Sequence, residues 1–259
     1  MVGAILLSVA APASQTNAHA IIEHSVQVIT RDWQTAPEYE NFERDLEPKG
    51  GSKTFEDLMI MGSPYQRLVG VNDKPLSSHA KGEEQRKLDD MIVERRNESE
   101  KARAQRIAKY ERDRSRDFLF LEQLTKAFDF TLVGQRKLGN YEVYVLKAVP
   151  RPGYQPPNKE AEVLTGMRGM LWIDKKTYQW VKVEARVVRP VWIEGFVAEV
   201  EPGTRFEVEW MPVEDNIWLP KHYVMTARAK VFFIFNHKSG ENDIFHDYRR
   251  IEPEQNLTK

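Results

Sequence analysis

Histidine is the residue type in this sequence best suited to metal binding or acid–base catalysis, and its six copies are scattered. They include no H-x-H or H-x-x-x-H pair, the spacings that place two imidazoles on one face of a strand or helix. Cysteine is absent, which excludes disulfides, thiolate metal sites and cysteine nucleophiles. We therefore predict no metal site and no cofactor. The histidines are His19, His24, His79, His222, His237 and His246.

Sequence motifs for catalysis and nucleotide binding are also missing. There is no G-x-S-x-G, no P-loop and no G-x-G-x-x-G. Carboxylates are plentiful, but most lie on polar faces or in turns, and we interpret Asp174 as a turn residue and not as a catalytic acid. The sequence therefore predicts no catalytic residues and a protein that is not an enzyme, with a hydrolase as a remote alternative.

Aromatic residues are the one class whose distribution suggests ligand binding. Five of the six tryptophans fall in the second half of the chain, interspersed with phenylalanines. Two interpretations remain open: these rings form the core and rim of a barrel, or they line an apolar ligand cavity. They are Trp172, Trp180, Trp192, Trp210 and Trp218, with Phe196, Phe206, Phe232, Phe233 and Phe235.

The strand pattern that must position these rings is centred on a predicted β-hairpin at residues 167–188. Leu171 and Ile173 share one face of its first strand, and Val181 and Val183 share one face of its second. This alternation with a period of two is typical of strands with one buried and one wet face. Strands before and after the hairpin, beginning at residues 24–33, predict a mainly β fold with an antiparallel sheet.

A highly charged segment at residues 81–117 interrupts the strands. Its thin apolar stripe at helical spacing predicts a helix, with an interruption at residues 97–99. A second, more apolar helix is predicted at residues 117–127. Basic residues in the charged helix suggest an anionic membrane surface or an envelope protein as a partner. The net charge of −1 and the lack of interleaved aromatics argue against nucleic acid.

The N-terminal residues carry a pattern of their own. Residues 1–20 contain no Asp, Glu, Lys or Arg, and an apolar run at residues 2–11 is followed by Ala18-His19-Ala20, which suits signal peptidase. We therefore expect a signal peptide at residues 1–20 and a single domain at residues 21–259. Because no cysteine follows the apolar run, we expect a soluble periplasmic protein without a lipid anchor.

Three runs in the second half resemble a known superfamily. Residues 168–187 read RGMLWIDKKTYQWVKVEARV, residues 202–210 read PGTRFEVEW, and residues 217–231 read IWLPKHYVMTARAKV. The W-I-D turn, the alternating valines and the later W-L-P resemble the outer-membrane lipoprotein-sorting carriers of the LolA/LolB-like superfamily, over residues 128–248. The chain looks closest to an uncharacterised bacterial envelope branch.

This resemblance implies both a fold and a function. The fold is an incomplete, strongly curved antiparallel β-barrel closed by helices, with acyl chains held in its apolar interior. The implied function is a periplasmic carrier or chaperone that binds a lipid or the acyl part of a lipoprotein, in lipoprotein sorting or related transport. The alternative is an envelope scaffold with a packed interior that binds a protein partner. No functional residue of the superfamily can be matched to this chain.

Strand parity nevertheless selects candidate cavity residues. They are Leu171, Ile173, Val181, Val183, Phe206, Val208, Met225 and Ala227 on the strands, and Phe118, Leu121 and Leu124 on the second helix. The helix would act as a lid over the open side of the barrel.

Overall fold

A computed structural model of the chain describes residues 13–193, 198–214, 216–231 and 235–252. Three α-helices precede or interrupt the strands: α1 (Ala13–Thr35), α2 (Ser78–Asn97) and α3 (Glu100–Ala127). Short 3-10 helices lie at Ala36–Glu38 and Glu160–Gly166. The strands are β1 (Tyr39–Leu46), β2 (Ser52–Ile60), β3 (Ser63–Val71), β4 (Lys74–Pro75), β5 (Phe128–Leu138), β6 (Tyr141–Pro150), β7 (Met167–Asp174), β8 (Trp180–Val187), β9 (Val191–Ile193), β10 (Ala198–Val200), β11 (Arg205–Glu214), β12 (Ile217–Val231) and β13 (Phe235–Arg250).

The strands form one antiparallel sheet that does not close. Its order is β4-β3-β2-β1-β13-β12-β11-β8-β7-β6-β5, with β10 paired to β12 and β9 paired to β10. The end strands β4 and β5 do not pair with each other in the described part of the chain. The prediction of an incomplete antiparallel barrel accompanied by helices is therefore confirmed.

The predicted first strand at residues 24–33 is wrong, because these residues belong to α1. Ala18, Ile22, Ser25, Ile29 and Asp32 are buried, and they recur at intervals of three or four residues along the chain. That spacing makes a helical stripe. The brief alternation around Val26 and Val28 is too short to compete with it.

The predicted break between two helices lies at residues 97–99, as expected, but there is none near residue 117. Ser99 caps α3 by accepting a hydrogen bond from the Ala102 N–H at 3.2 Å. From there α3 runs without a proline or glycine to Ala127. The charged helix and the apolar helix predicted at residues 117–127 are therefore one continuous element.

Two hydrophobic layers hold the helices against the sheet. The larger layer joins α1, α3 and the strands β5–β8, and its fully buried members include Ile22, Leu146 and Ile173. A smaller one joins α2 to β2 through Leu88, Leu58 and Ile60. The sheet therefore packs its most apolar strands against α1.

Candidate functional site

The face of β7, β8, β11 and β12 that looks toward α1 carries most of the predicted cavity residues. Leu171 lies directly opposite Val183, and Val183 lies directly opposite Val208 on β11. Phe206 is flanked by Ala185 and Met225 in the same way. Directly paired residues in an antiparallel sheet share a face. The sheet register therefore brings together side chains from four strands on a single apolar face, which we call the inner face.

The position of Val181 corrects the parity prediction. Between β7 and β8 the register shifts, so that Trp172 pairs with Lys182 while Ile173 pairs with Trp180. The bulge leaves Val181 unpaired and reverses the alternation beyond it. Val181 packs with Trp172 on the opposite, outer face, and Trp180 takes its place on the inner face.

Helix α1 covers the buried part of the inner face. Leu171, Ile173 and Val183 form one cluster with Ile22 and Ile29 of this helix. Leu171 and Ile173 are at most 2% exposed, and Val183 is 7% exposed. The interior is therefore filled by side chains of α1 in this conformation.

Two polar contacts fix α1 to the sheet in this otherwise apolar layer. The Trp180 indole N–H donates to Ser25 Oγ at 3.1 Å. Near the end of α1, the Trp218 backbone N–H donates to Asp32 Oδ2 at 3.1 Å, and Asp32 is fully buried. Arg31 donates to Asp32 Oδ1 at 3.0 and 3.2 Å and also to the Asn216 carbonyl. Buried polar pairs of this kind set the position of the helix, since leaving either partner unpaired is unfavourable.

Helix α3 contributes the predicted lid residues. The Phe118 ring stacks on Trp33 of α1 with centroids 4.4 Å apart. Arg114 also contacts this tryptophan. Its guanidinium carbon lies 4.1 Å from the ring centroid, and its Nη2–H donates a 2.7 Å hydrogen bond to the Trp33 carbonyl. Leu121 and Leu124 pack, partly buried, against the α1 cluster. The structure thus places α3 beside α1, so that the two helices cover the inner face together.

Part of the inner face extends beyond the helices. Val208, Met225 and Ala227 are half-buried and lie outside the packed clusters, whereas Phe206 lies at the edge of the α1 cluster. The predicted cavity residues therefore divide into a packed set under α1 and a half-buried set on β11 and β12. We call the latter set, which consists of Phe206, Val208, Met225 and Ala227, the apolar row.

Asp174 has the turn role that its sequence context predicts. Its Oδ2 accepts hydrogen bonds from the Lys176 N–H at 3.1 Å and from the Thr177 N–H and hydroxyl, both at 2.8 Å.

In the described residues, no group of three or more His, Asp or Glu side chains is arranged to hold a metal ion.

A carboxylate cluster on β1, β2 and β13 is a feature that the sequence pattern did not reveal. Burial, together with the nearby Asp57, raises the pKa of Glu43 to about 7. Burial and the nearby Asp45 raise the pKa of Asp243 to about 6. Gln66 donates a 2.7 Å hydrogen bond to Glu43. The cluster forms only when the first and last strands pair, so spacing in the chain gave no indication of it.

Sequence reasoning also missed Ser25 and Asp32. Both lie in the segment predicted as a strand, so their helical spacing was not used.

Among the described helices, none combines the length and the apolar character needed to cross a bilayer.

Comparisons with known proteins find likeness in structure only. No profile of a known protein family matches the sequence, and no curated protein matches it. Solved structures match most of the chain, among them the following three. An outer membrane lipoprotein-sorting protein domain from Vibrio parahaemolyticus is 14% identical, with 90% of this chain and 96% of that chain covered and a TM-score of 0.33.

The other two structures are similarly distant. A LolA superfamily protein from Nitrosomonas europaea is 10% identical, with coverage of 93% and 97% and a TM-score of 0.33. A DUF1329 family protein from Desulfovibrio piger is 8% identical, with coverage of 92% and 94% and a TM-score of 0.32.

Proposed function

We propose that this protein is a periplasmic, non-enzymatic carrier or chaperone that binds a lipid, or the acyl part of a lipoprotein, against the inner face. The observation that carries the proposal is the apolar row. It continues the packed inner face beyond α1, through Phe206, Val208, Met225 and Ala227, where these side chains stay half-buried. An acyl chain lying along this row would complete its burial.

Helix α1 must give way if the ligand is to reach the deeper residues. The contacts that hold it are a few hydrogen bonds, each contributing about 1 kcal/mol net, plus an apolar stripe whose partners an acyl chain can replace. Burying about ten methylenes contributes roughly 8 kcal/mol, which is enough to offset the loss of the polar contacts. Under this proposal, α1 and α3 act together as the lid, with Leu121 and Leu124 lining its underside.

A matched pair of substitutions tests the proposal. Met225→Asp places a carboxylate in the apolar row, whereas Val224→Asp places one at the next residue, on the outer face. Uptake of a fluorescent fatty acid should fall at least about ten-fold for Met225→Asp, because the carboxylate must be desolvated when the acyl chain binds. Val224→Asp should bind like the unmodified protein.

Equal uptake by the two variants would remove the support for acyl binding along the apolar row. Native mass spectrometry of protein purified from its own cell envelope supplies an independent measurement. Co-purified lipid agrees with a carrier, and a clean apo mass together with no uptake of the fatty acid contradicts it.

The second candidate is an envelope scaffold that binds a protein partner. The observation in its favour is the filled interior, in which Ile22, Leu146 and Ile173 are fully buried and α1 is fixed by Ser25 and Asp32. A scaffold does not require α1 to move. If the protein is a scaffold, substitutions that weaken the contacts of α1 should not produce any uptake of fatty acid.

A further inference from the structure

Three arginines form a row across neighbouring strands on the outer face of the sheet. Arg168 on β7 lies directly opposite Arg186 on β8, and Arg186 lies directly opposite Arg205 on β11. Paired positions on adjacent strands have Cβ atoms about 5 Å apart. All three side chains are exposed, and within the described residues none has an ion pair or a side-chain hydrogen bond. We call them the arginine row.

Two carboxylates in the adjacent cross-strand row share one lysine. Glu184 and Glu207 follow in the next cross-strand row, where Lys182 Nζ binds them at 2.9 and 2.6 Å. Like charges directly opposite one another in a sheet are destabilising. The arginine row therefore carries a repulsion that no ion pair within the described residues relieves, and a bound anion would supply a direct partner.

The surroundings of the arginine row combine positive charge with apolar surface. A groove of about 660 Å³ is lined by these arginines and Lys147, by the lysine-bound Glu184 and Glu207, and by apolar residues that include Met170 and Val224. Val188, which directly follows the end of β8, is 39% exposed. Basic side chains mixed with exposed apolar ones are typical of surfaces that meet the headgroup region of a membrane.

The arginine row also lies next to the apolar row. Arg205 immediately precedes Phe206, so the two side chains point to opposite faces at the same place in β11. Phe206 is paired with Met225 of the apolar row. A lipid surface held at the arginine row would therefore lie at the sheet end where the inner face is only half covered.

We propose that Arg168, Arg186 and Arg205 bind the phosphates of anionic phospholipids, so that this end of the sheet docks on a membrane surface while an acyl chain enters or leaves. The inference rests on the proposed carrier function for its purpose, but its binding chemistry can be tested separately.

This assignment differs from the charged helix that the sequence suggested for the same role. Three basic side chains of α3 have acidic partners on the same helix. Lys109 and Arg116 both pair with Asp113, and Arg114 pairs with Glu111. These acidic partners offset part of the positive charge of the helix, whereas no ion pair within the described residues offsets the arginine row.

Vesicle sedimentation with matched triple variants tests the inference. The unmodified protein should bind phosphatidylglycerol vesicles and not phosphatidylcholine vesicles, with binding that weakens as salt is added. The variant R168Q/R186Q/R205Q should bind on the order of 100-fold more weakly, since each basic residue near an anionic surface contributes about five-fold. The control K101Q/R103Q/R112Q makes the same change of net charge on α3 and should bind like the unmodified protein.

The following results would overturn the inference. Equal losses in the two triple variants would mean that net charge alone drives binding. Undiminished binding by R168Q/R186Q/R205Q would place the lipid contact elsewhere. Calorimetric binding of glycerol phosphate as tight as vesicle binding would identify a soluble phosphate as the ligand, and retention on polyglutamate without vesicle binding would identify an acidic protein.

Two further measurements separate this inference from folding effects and from the carrier proposal. The single variant R186Q should melt at the same temperature as the unmodified protein or above it, because it removes the central repulsion. A lower melting temperature would contradict the repulsive row. Fatty-acid uptake in solution should survive in R168Q/R186Q/R205Q. If the unmodified protein takes up no fatty acid while its vesicle binding depends on the arginine row, the carrier proposal fails and the docking site stands.

Discussion

Asp32→Ala should detach the end of α1 from the sheet without removing any apolar contact. The side chain is 1% exposed and is the acceptor for the Trp218 backbone N–H, itself part of a residue that is 5% exposed. Leaving that N–H buried without a partner costs about 1–3 kcal/mol. The bonds from Arg31 add little, because its side chain is 49% exposed and can be hydrated instead. We expect a total loss of about 2–3 kcal/mol in the free energy of unfolding.

Urea unfolding followed by tryptophan fluorescence measures this loss. Arg31→Ala is the matched control, since it removes the exposed partner and leaves the Trp218 contact intact, and it should change stability by less than about 1 kcal/mol. If Asp32→Ala is within about 0.5 kcal/mol of the unmodified protein, the buried contact does not hold α1 as inferred.

The same variant tests whether α1 is the lid. When a binding-competent conformation is rare, its population limits the apparent affinity. Weakening the closed state by about 2 kcal/mol should then raise the apparent affinity for a fluorescent fatty acid up to about 30-fold. A stability loss of the expected size with no gain in uptake would refute the lid and would favour the scaffold.

Two further predictions concern the faces of the sheet and the carboxylate cluster. Val183→Asp puts a charge under α1 and should destabilise the protein by several kcal/mol or prevent folding, whereas Lys182→Ala and Glu207→Ala on the outer face should change thermal stability only slightly. The raised pKa of Glu43 means that the folded state binds more protons than the unfolded state between about pH 4.5 and 7, so this group lowers stability as pH rises through that window. Glu43→Gln should therefore be more stable than the unmodified protein at pH 8, by about 1–2 kcal/mol after allowance for solvent screening, and equal to it at pH 4. A stability difference independent of pH would show that Glu43 does not titrate as inferred.

The sequence predicted those parts of the fold whose information is local. Period-two alternation located the hairpin of β7 and β8. Asp174 lies in a turn because its carboxylate accepts hydrogen bonds from the backbone two and three residues further on. The break between α2 and α3 was likewise visible in the residues around Ser99. Each of these features depends on neighbours within a few positions.

The parts that failed depend on partners far away in the chain. The bulge at Val181 reverses the face of one valine, and alternation alone gives no sign of it. The buried stripe of α1 packs against β5 and β12, which begin about 90 and 180 residues after the helix ends. The carboxylate cluster and the arginine row arise from strand register, which no single strand specifies. Parity within each strand was therefore reliable up to the bulge, while contacts between elements required the structure.

The pairing of β1 with β13 affects the order in which the chain can fold. Tyr39 pairs with Arg250, so the sheet is joined in its middle by a contact that spans nearly the whole sequence. Such contacts close large loops and form slowly, after the local hairpins. Until the last strand is available, β1 and β12 each present an unpaired edge able to pair with another chain. During synthesis, the chain therefore remains prone to aggregation until β13 has been made and has paired with β1 and β12. A protein that bound these two edges during that interval would protect the chain from aggregation.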